Sequence, residues 1–193
     1  MQNALVFILR TLVDLYIITF LLRIIMQWIR ADYRNPLTQF IVRVTNPLVV
    51  PLRRVIPALG NLDTASLLVV LVFELIVTIV LVNLTCAGEP MFIQIAALTL
   101  LRAVYLLLRV YLFVILIYVL LSWISPGTYN PVAGLLAAIA EPVLKPLRRI
   151  IPPIGGLDLS ALFALIGIQA LTMVLPIGRV ASTMGCFGVG QFL

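Results

Sequence analysis

Long apolar runs alternate along this chain with shorter stretches where prolines and arginines gather. The apolar runs extend from about residue 4 to Trp28, from 64 to about 84, from 99 to Trp123, and from 160 to about 177. Each approaches or exceeds the ~18–20 residues that a helix needs to cross a hydrocarbon core of ~30 Å. Four transmembrane helices are predicted, in an all-α membrane protein. Residues 91–125 contain neither Gly nor Pro, which predicts one continuous helix there. At 1.5 Å per residue it would be roughly 50 Å long, more than a bilayer requires. Its residues before Thr99 are expected to run along or beyond the membrane surface.

The polar stretches reveal an internal repeat. The segment from Asn46 to Asp63 (NPLVVPLRRVIPALGNLD) returns from Glu141 to Asp158 (EPVLKPLRRIIPPIGGLD), 95 residues later. Matched pairs include Pro47/Pro142, Pro51/Pro146, Arg53/Arg148, Arg54/Arg149, Pro57/Pro152, Gly60/Gly155 and Asp63/Asp158. Trp28/Trp123 and Asn35-Pro36/Asn130-Pro131 share the offset. Each unit reads as span, loop, span. Unit one covers 1–88, an external connector and helix extension covers 89–98, unit two covers 99–178, and a tail covers 179–193. Two spans per unit is an even number, so the units are expected to lie parallel, related by an axis along the membrane normal.

Within each loop the residue pattern predicts amphipathic interfacial helices. Asn35 is placed to cap a helix with proline at its first position. Leu37, Phe40, Ile41, Val44 and Leu48 then recur at helical spacing. A second short helix is expected after Asn46-Pro47, tilted by Pro51 and ended by Pro57, with Gly60 at the turn. Asp63 and Asp158 are expected to cap the returning spans. Such helices suit the headgroup layer, apolar face down. Arg53, Arg54, Arg148 and Arg149 would then reach lipid phosphates or partner carboxylates, with the Asp of each unit holding its arginine pair; enforcing topology is the plainer role.

Charge sharpens the picture. Only 10% of residues are charged and 63% are apolar, against about 25% charged in a soluble domain. The net charge of +6 is concentrated in loops beside spans, which favours anionic lipid headgroups over nucleic acid. Both long loops carry basic residues while the connector around Gly88-Glu89-Pro90 carries none. The positive-inside rule therefore places the loops in the cytoplasm and both termini outside. The chain opens Met-Gln-Asn without a basic n-region or cleavage site, so its first run is expected to remain as an anchor. Asp14, Arg23, Glu74, Arg102 and Arg109 fall inside apolar runs, where a charge costs roughly 2.5–3.5 kcal/mol on insertion scales. Arg23 and Arg102 are near span ends and expected to snorkel; Arg10 is one turn from Asp14 and could pair with it. Asp14 aligns with Arg109 and Glu74 with Gln169 across the repeat, so these are the expected partners. They would serve as structural pairs or, alternatively, as an ion or proton route.

With no histidine and two cysteines, neither His-based acid–base chemistry nor a zinc site of ordinary ligand count is expected. No catalytic, cofactor-binding or metal-binding residue can be assigned. Cys86 and Cys186 both fall on the predicted outer side, where a disulfide can persist. A bridge between them and two unpaired thiols are the two possibilities.

The paired motif Pro-Leu-Arg-Arg-(Val/Ile)-Ile-Pro…Gly-x-Leu-Asp, joined to spans ending Gln27-Trp28 and Ser122-Trp123, resembles the YggT family of bacterial inner-membrane proteins across essentially the whole chain. The resemblance implies a small multi-pass plasma-membrane protein without a known catalytic residue. It also implies connections with osmotic stress and ion uptake and, through plastid relatives, with organelle division, nucleoid distribution and cytochrome assembly. The expected role is a non-enzymatic scaffold or accessory protein that binds anionic lipid, other membrane proteins or further copies of itself. A small ion channel or transporter component is the alternative. An intramembrane aspartyl protease on Asp14 and Glu74 lacks any recognisable catalytic context.

Overall fold

The computed structural model describes residues 2–58, 60, 62–124, 130–150 and 158–186. Its regular elements are helices: α1 (Gln2–Trp28), α2 (Pro36–Arg53), α3 (Thr64–Thr85), α4 (Phe92–Ile124), α5 (Pro131–Ile150), α6 (Leu159–Val174) and α7 (Ile177–Thr183). Three stretches are long and apolar enough to cross a membrane: Thr64–Thr85, Phe92–Ser122 and Leu159–Thr183. The 27-residue α1 is of spanning length too, but carries Arg10, Asp14 and Arg23.

Helix α4 is unbroken over 33 residues, as its lack of Gly and Pro predicts, and it organises the bundle. It packs against α1, α3, α5, α6 and α7, while α1 also packs on α3. Ile17, Phe20, Val70, Val110, Ile115 and Ala164 belong to one buried core. Ala65 and Ala161 are almost wholly buried; small residues at such crossings let helix backbones approach closely. A second apolar cluster joins Val77, Leu81, Leu98, Tyr105, Ile177, Ala181 and Met184, placing α7 over the far ends of α3 and α4. Large apolar side chains on α3, α4 and α6, among them Val72, Ile76, Leu100, Phe113, Leu162 and Ile166, point outward, as lipid-facing positions do.

Each loop holds one long helix rather than two short ones. Pro47 and Pro51 lie inside α2, and Pro142 and Pro146 inside α5. The turn before Pro47 is tied from outside: Nη1 of Arg23 donates to Thr45 Oγ1 at 2.6 Å and Asn46 Oδ1 at 2.9 Å. Pro47 therefore interrupts the backbone ladder without ending α2. The expected apolar stripe also faces differently. Ile41 and Val49 are buried in the core, with Leu37 and Leu48 packed beside them, whereas Phe40 is exposed. This stripe covers the protein's own bundle rather than headgroups.

The predicted caps form. Oδ1 of Asn35 accepts from the Leu37 amide and Oδ1 of Asn130 from the Val132 amide, both at 2.9 Å. Helix α1 ends with the Ala31 amide donating to Met26 O at 2.9 Å and Arg30 at φ 55°. That closure usually takes glycine at the left-handed position. Gly60 (φ 60°) turns the chain towards Asp63. The last predicted span, expected to reach Ile177, stops at Val174; Pro176 precedes α7, so part of the expected tail is helix packed on the bundle. Pro152 and Gly155 of the second motif, and the glycine-rich tail beyond Cys186, lie outside the described residues.

Candidate functional site

Each loop helix is fastened to the start of the following helix by an arginine–aspartate clamp. In the first, Asp63 caps α3, its Oδ1 accepting from the Ser66 amide at 3.4 Å and its Oδ2 from Ser66 Oγ at 2.7 Å. The same carboxylate takes Arg53 Nη2 at 2.8 Å and Arg23 Nε at 3.1 Å. Arg53 also donates to Gln27 Oε1 at 2.9 Å. Asp63 is 1% exposed. Burial alone would raise its pKa, but hydrogen bonds from Arg53 and Ser66 outweigh it and hold the carboxyl below the usual range.

The second clamp has the same plan. Asp158 caps α6, accepting from the Ser160 amide at 3.1 Å and from the Ser160 hydroxyl. Arg148 Nη2 lies 2.7 Å from Asp158 Oδ2 and its Nη1 3.1 Å from Glu141 Oε2; Nη2 also donates to Tyr118 Oη at 3.4 Å. Burial opposes charge here as well, yet bonds from Ser160 and Arg148 pull the Asp158 pKa down. For Arg148 burial works against the cation, and the bonds to Asp158 and Tyr118 more than restore it.

The clamps divide the four loop arginines. Arg53 and Arg148 are each ion-paired to the Asp of their own unit, as one reading of the loops expected, while staying partly exposed. Arg54 and Arg149 are exposed, and among the described residues their guanidinium groups meet no carboxylate. The two loop helices also meet: Asn35 Nδ2 donates to Pro131 O at 2.6 Å. Beside that contact is a cleft of about 310 Å³, lined by Asp32, Arg34, Asn130 and Gly134 among others.

Among the charges inside the apolar runs the expected Arg10–Asp14 pair forms, whereas the partners expected across the repeat do not meet. Arg102 Nε lies 3.0 Å from Glu74 Oε2 and its Nη2 3.5 Å from Asp14 Oδ1, while Arg10 Nε lies 3.3 Å from Asp14 Oδ2. Glu74 is 0% and Arg102 2% exposed. Arg109 instead donates to the Tyr105 hydroxyl at 3.0 Å, stacking near the Tyr105 and Phe113 rings. Gln169 is exposed on α6 and does not meet Glu74. Neither Arg23 nor Arg102 snorkels; each turns inward because an acid of another helix waits there, Asp63 for one and Glu74 for the other. On the far side, Cys86 and Cys186 are joined by a disulfide that ties the end of α3 to the segment just beyond α7.

The CCB3/YggT family pattern matches residues 2–84 and again 97–178. The chain belongs to the CCB3/YggT family. An uncharacterized protein of Pseudomonas aeruginosa is 42% identical over 186 residues, covering 96% of this chain and 94% of that one. The uncharacterized YggT protein of Escherichia coli (strain K12) is 40% identical over 172 residues, 89% of each chain. A YlmG homolog protein 2, chloroplastic, of Arabidopsis thaliana is 35% identical over 75 residues, 36% of this chain and 28% of that protein. No solved structure matches the chain. In this CCB3/YggT protein, sequence reasoning found Asp63 and Asp158 but missed their neighbours Arg23, Gln27, Tyr118 and Glu141. The available signal was the offset itself: Arg23 and Tyr118 are 95 residues apart, and each is a polar intrusion in an apolar run facing its clamp.

Proposed function

We propose that this CCB3/YggT protein is a non-enzymatic accessory protein of the bacterial inner membrane, with α1 as a fourth span beside the three apolar stretches. It consists of two parallel span–loop–span units, with both loops in the cytoplasm and both termini in the periplasm. The observation that carries this reading is the pair of clamps. Arg53–Asp63 and Arg148–Asp158 each lock a loop helix to the mouth of the next span. They turn the loops into rigid platforms that leave Arg54 and Arg149 outward. A guanidinium beside an anionic surface contributes about 1 kcal/mol, which suits docking of acidic headgroups or of partner membrane proteins. Asp14, Glu74, Asp63 and Asp158 are all held in ion pairs, which suits structural roles for these acids. The disulfide agrees with an outer, oxidising location for the opposite end.

The test is affinity purification in mild detergent from native membranes. Wild-type protein is expected to retain a defined membrane-protein or anionic-phospholipid complement, and Arg54→Gln with Arg149→Gln to lose most of it. An unchanged complement in the double variant would leave these arginines a purely topological role.

The alternative is a small ion channel or transporter component, and the buried set Arg10, Asp14, Glu74 and Arg102 is the feature that favours it. Purified protein in liposomes would then pass potassium or protons, and Glu74→Gln would abolish the flux. The accessory reading expects no flux above that of empty vesicles.

A further inference from the structure

Helix α6 carries a polar residue where lipid would otherwise lie. It packs on α4 and α5, and Ala161, Ala164 and Ile168 form its buried side. On another face Leu162, Ile166, Gln169 and Met173 follow one another at steps of four, three and four, and all four are exposed. This is the spacing of a coiled-coil seam. Gln169 lies 11 residues after the cap Asp158, about 16 Å along the helix at 1.5 Å per residue, hence near the middle of a ~30 Å core. An amide facing hydrocarbon there forfeits its hydrogen bonds. The equivalent position on α3 shows what such a site does: Glu74, 95 residues earlier, meets Arg102 of α4. On α6 none of the described helices covers that position, and Gln169 is exposed.

We propose that the Leu162–Ile166–Gln169–Met173 seam is a self-association site, where α6 of a second copy packs parallel around a two-fold axis along the membrane normal. A two-fold contact brings each residue to its own equivalent. A glutamine amide suits this because it is its own complement, one carbonyl acceptor and one NH₂ donor on each side. Two Gln169 side chains at the same depth thus make two reciprocal hydrogen bonds. Interhelical hydrogen bonds of this kind are a recognised glue in membranes, with averages near 0.6 kcal/mol. Losing two weakens dimerisation roughly eightfold.

The experiment uses the full chain in native membranes, with single cysteines placed along α6 and oxidative cross-linking read on non-reducing gels. Leu162→Cys, Ile166→Cys, Gln169→Cys and Met173→Cys are expected to give a band at twice the monomer mass. Leu171→Cys, exposed on another side of α6, is not. In bilayer discs Gln169→Leu is expected to lower the dimer fraction as an eightfold weaker association would, with the helical signal unchanged because the Gln169 side chain is exposed and its backbone bond to Thr172 survives the substitution. Cross-links without this periodicity, cross-links to a protein of another mass, or an unaltered dimer in Gln169→Leu would each overturn the proposal. None of these outcomes bears on Arg54 and Arg149.

Discussion

At the scale of single residues the two aspartates carry the most weight, and they are not equivalent. Asp63 neutralises Arg23, a buried cation inside α1, as well as the partly exposed Arg53. Asp63→Asn would strand Arg23 away from water and is expected to cost about 3–5 kcal/mol. Asp158→Asn loosens a clamp whose two partners are both about a third exposed, and is expected to cost at most about 1 kcal/mol. Chemical denaturation in detergent distinguishes the two; equal losses would contradict the buried role of Arg23. The direction of pH dependence follows from the same groups. Both aspartates titrate below their ordinary range in the folded protein. Their contribution is complete above the unfolded-state value near 3.9 and is lost only as pH falls through the lower folded values. Limited proteolysis of the loops should therefore be unchanged between pH 7 and pH 5 and increase only below about pH 4. Loop release already at pH 6 would mean that the clamps do not hold the loops.

At the scale of elements, α4 depends on a buried ion pair and α7 on a covalent tie. Arg102→Met alone leaves Glu74 uncompensated in the interior and is expected to destabilise by about 3–5 kcal/mol. The double change Arg102→Met with Glu74→Leu is expected to recover most of that, since a well-packed apolar pair often replaces a buried ion pair without loss. Thermal unfolding of both variants checks this, and a double variant no better than the single would place Arg102 elsewhere. The disulfide spans a sequence separation of 100, so its loss is expected to cost about 2–5 kcal/mol. Denatured, unreduced protein should take up no thiol label; two labelled cysteines per chain would eliminate the bridge. Much of this scale was legible in the sequence. The unbroken α4 followed from the absence of Gly and Pro, and the caps at Asn35 and Asp63 followed from their side chains. The partner of Asp14 was not legible. Arg102 and Arg109 are seven residues apart, on nearly the same face of α4, so periodicity alone cannot choose between them. The choice depends on how far α4 slides along α1 and α3, which is a property of packing. The continuity of α2 through Pro47 was hidden for a related reason, because Arg23 ties that turn from another helix.

At the scale of the whole molecule, we propose four spans that present two clamped loop helices on one side and a disulfide-closed end on the other. The internal repeat suggested this layout, but it also hid a difference between the units. The position filled by Arg23 in the first clamp is Tyr118 in the second, and the position paired as Glu74 in α3 is left open as Gln169 in α6. Equal sequence registers meet unequal neighbours: α4 supplies Arg102 to Glu74, and none of the described helices supplies a partner to Gln169. The most direct test of the layout is a topology measurement in living cells, with a reporter that fluoresces only in the cytoplasm. Fused after Arg54 or after Arg149 it should be bright, and fused after Leu193 it should be dark. A bright fusion at Leu193 would put the disulfide-closed end and the loop helices on the same side of the membrane, and would contradict the account.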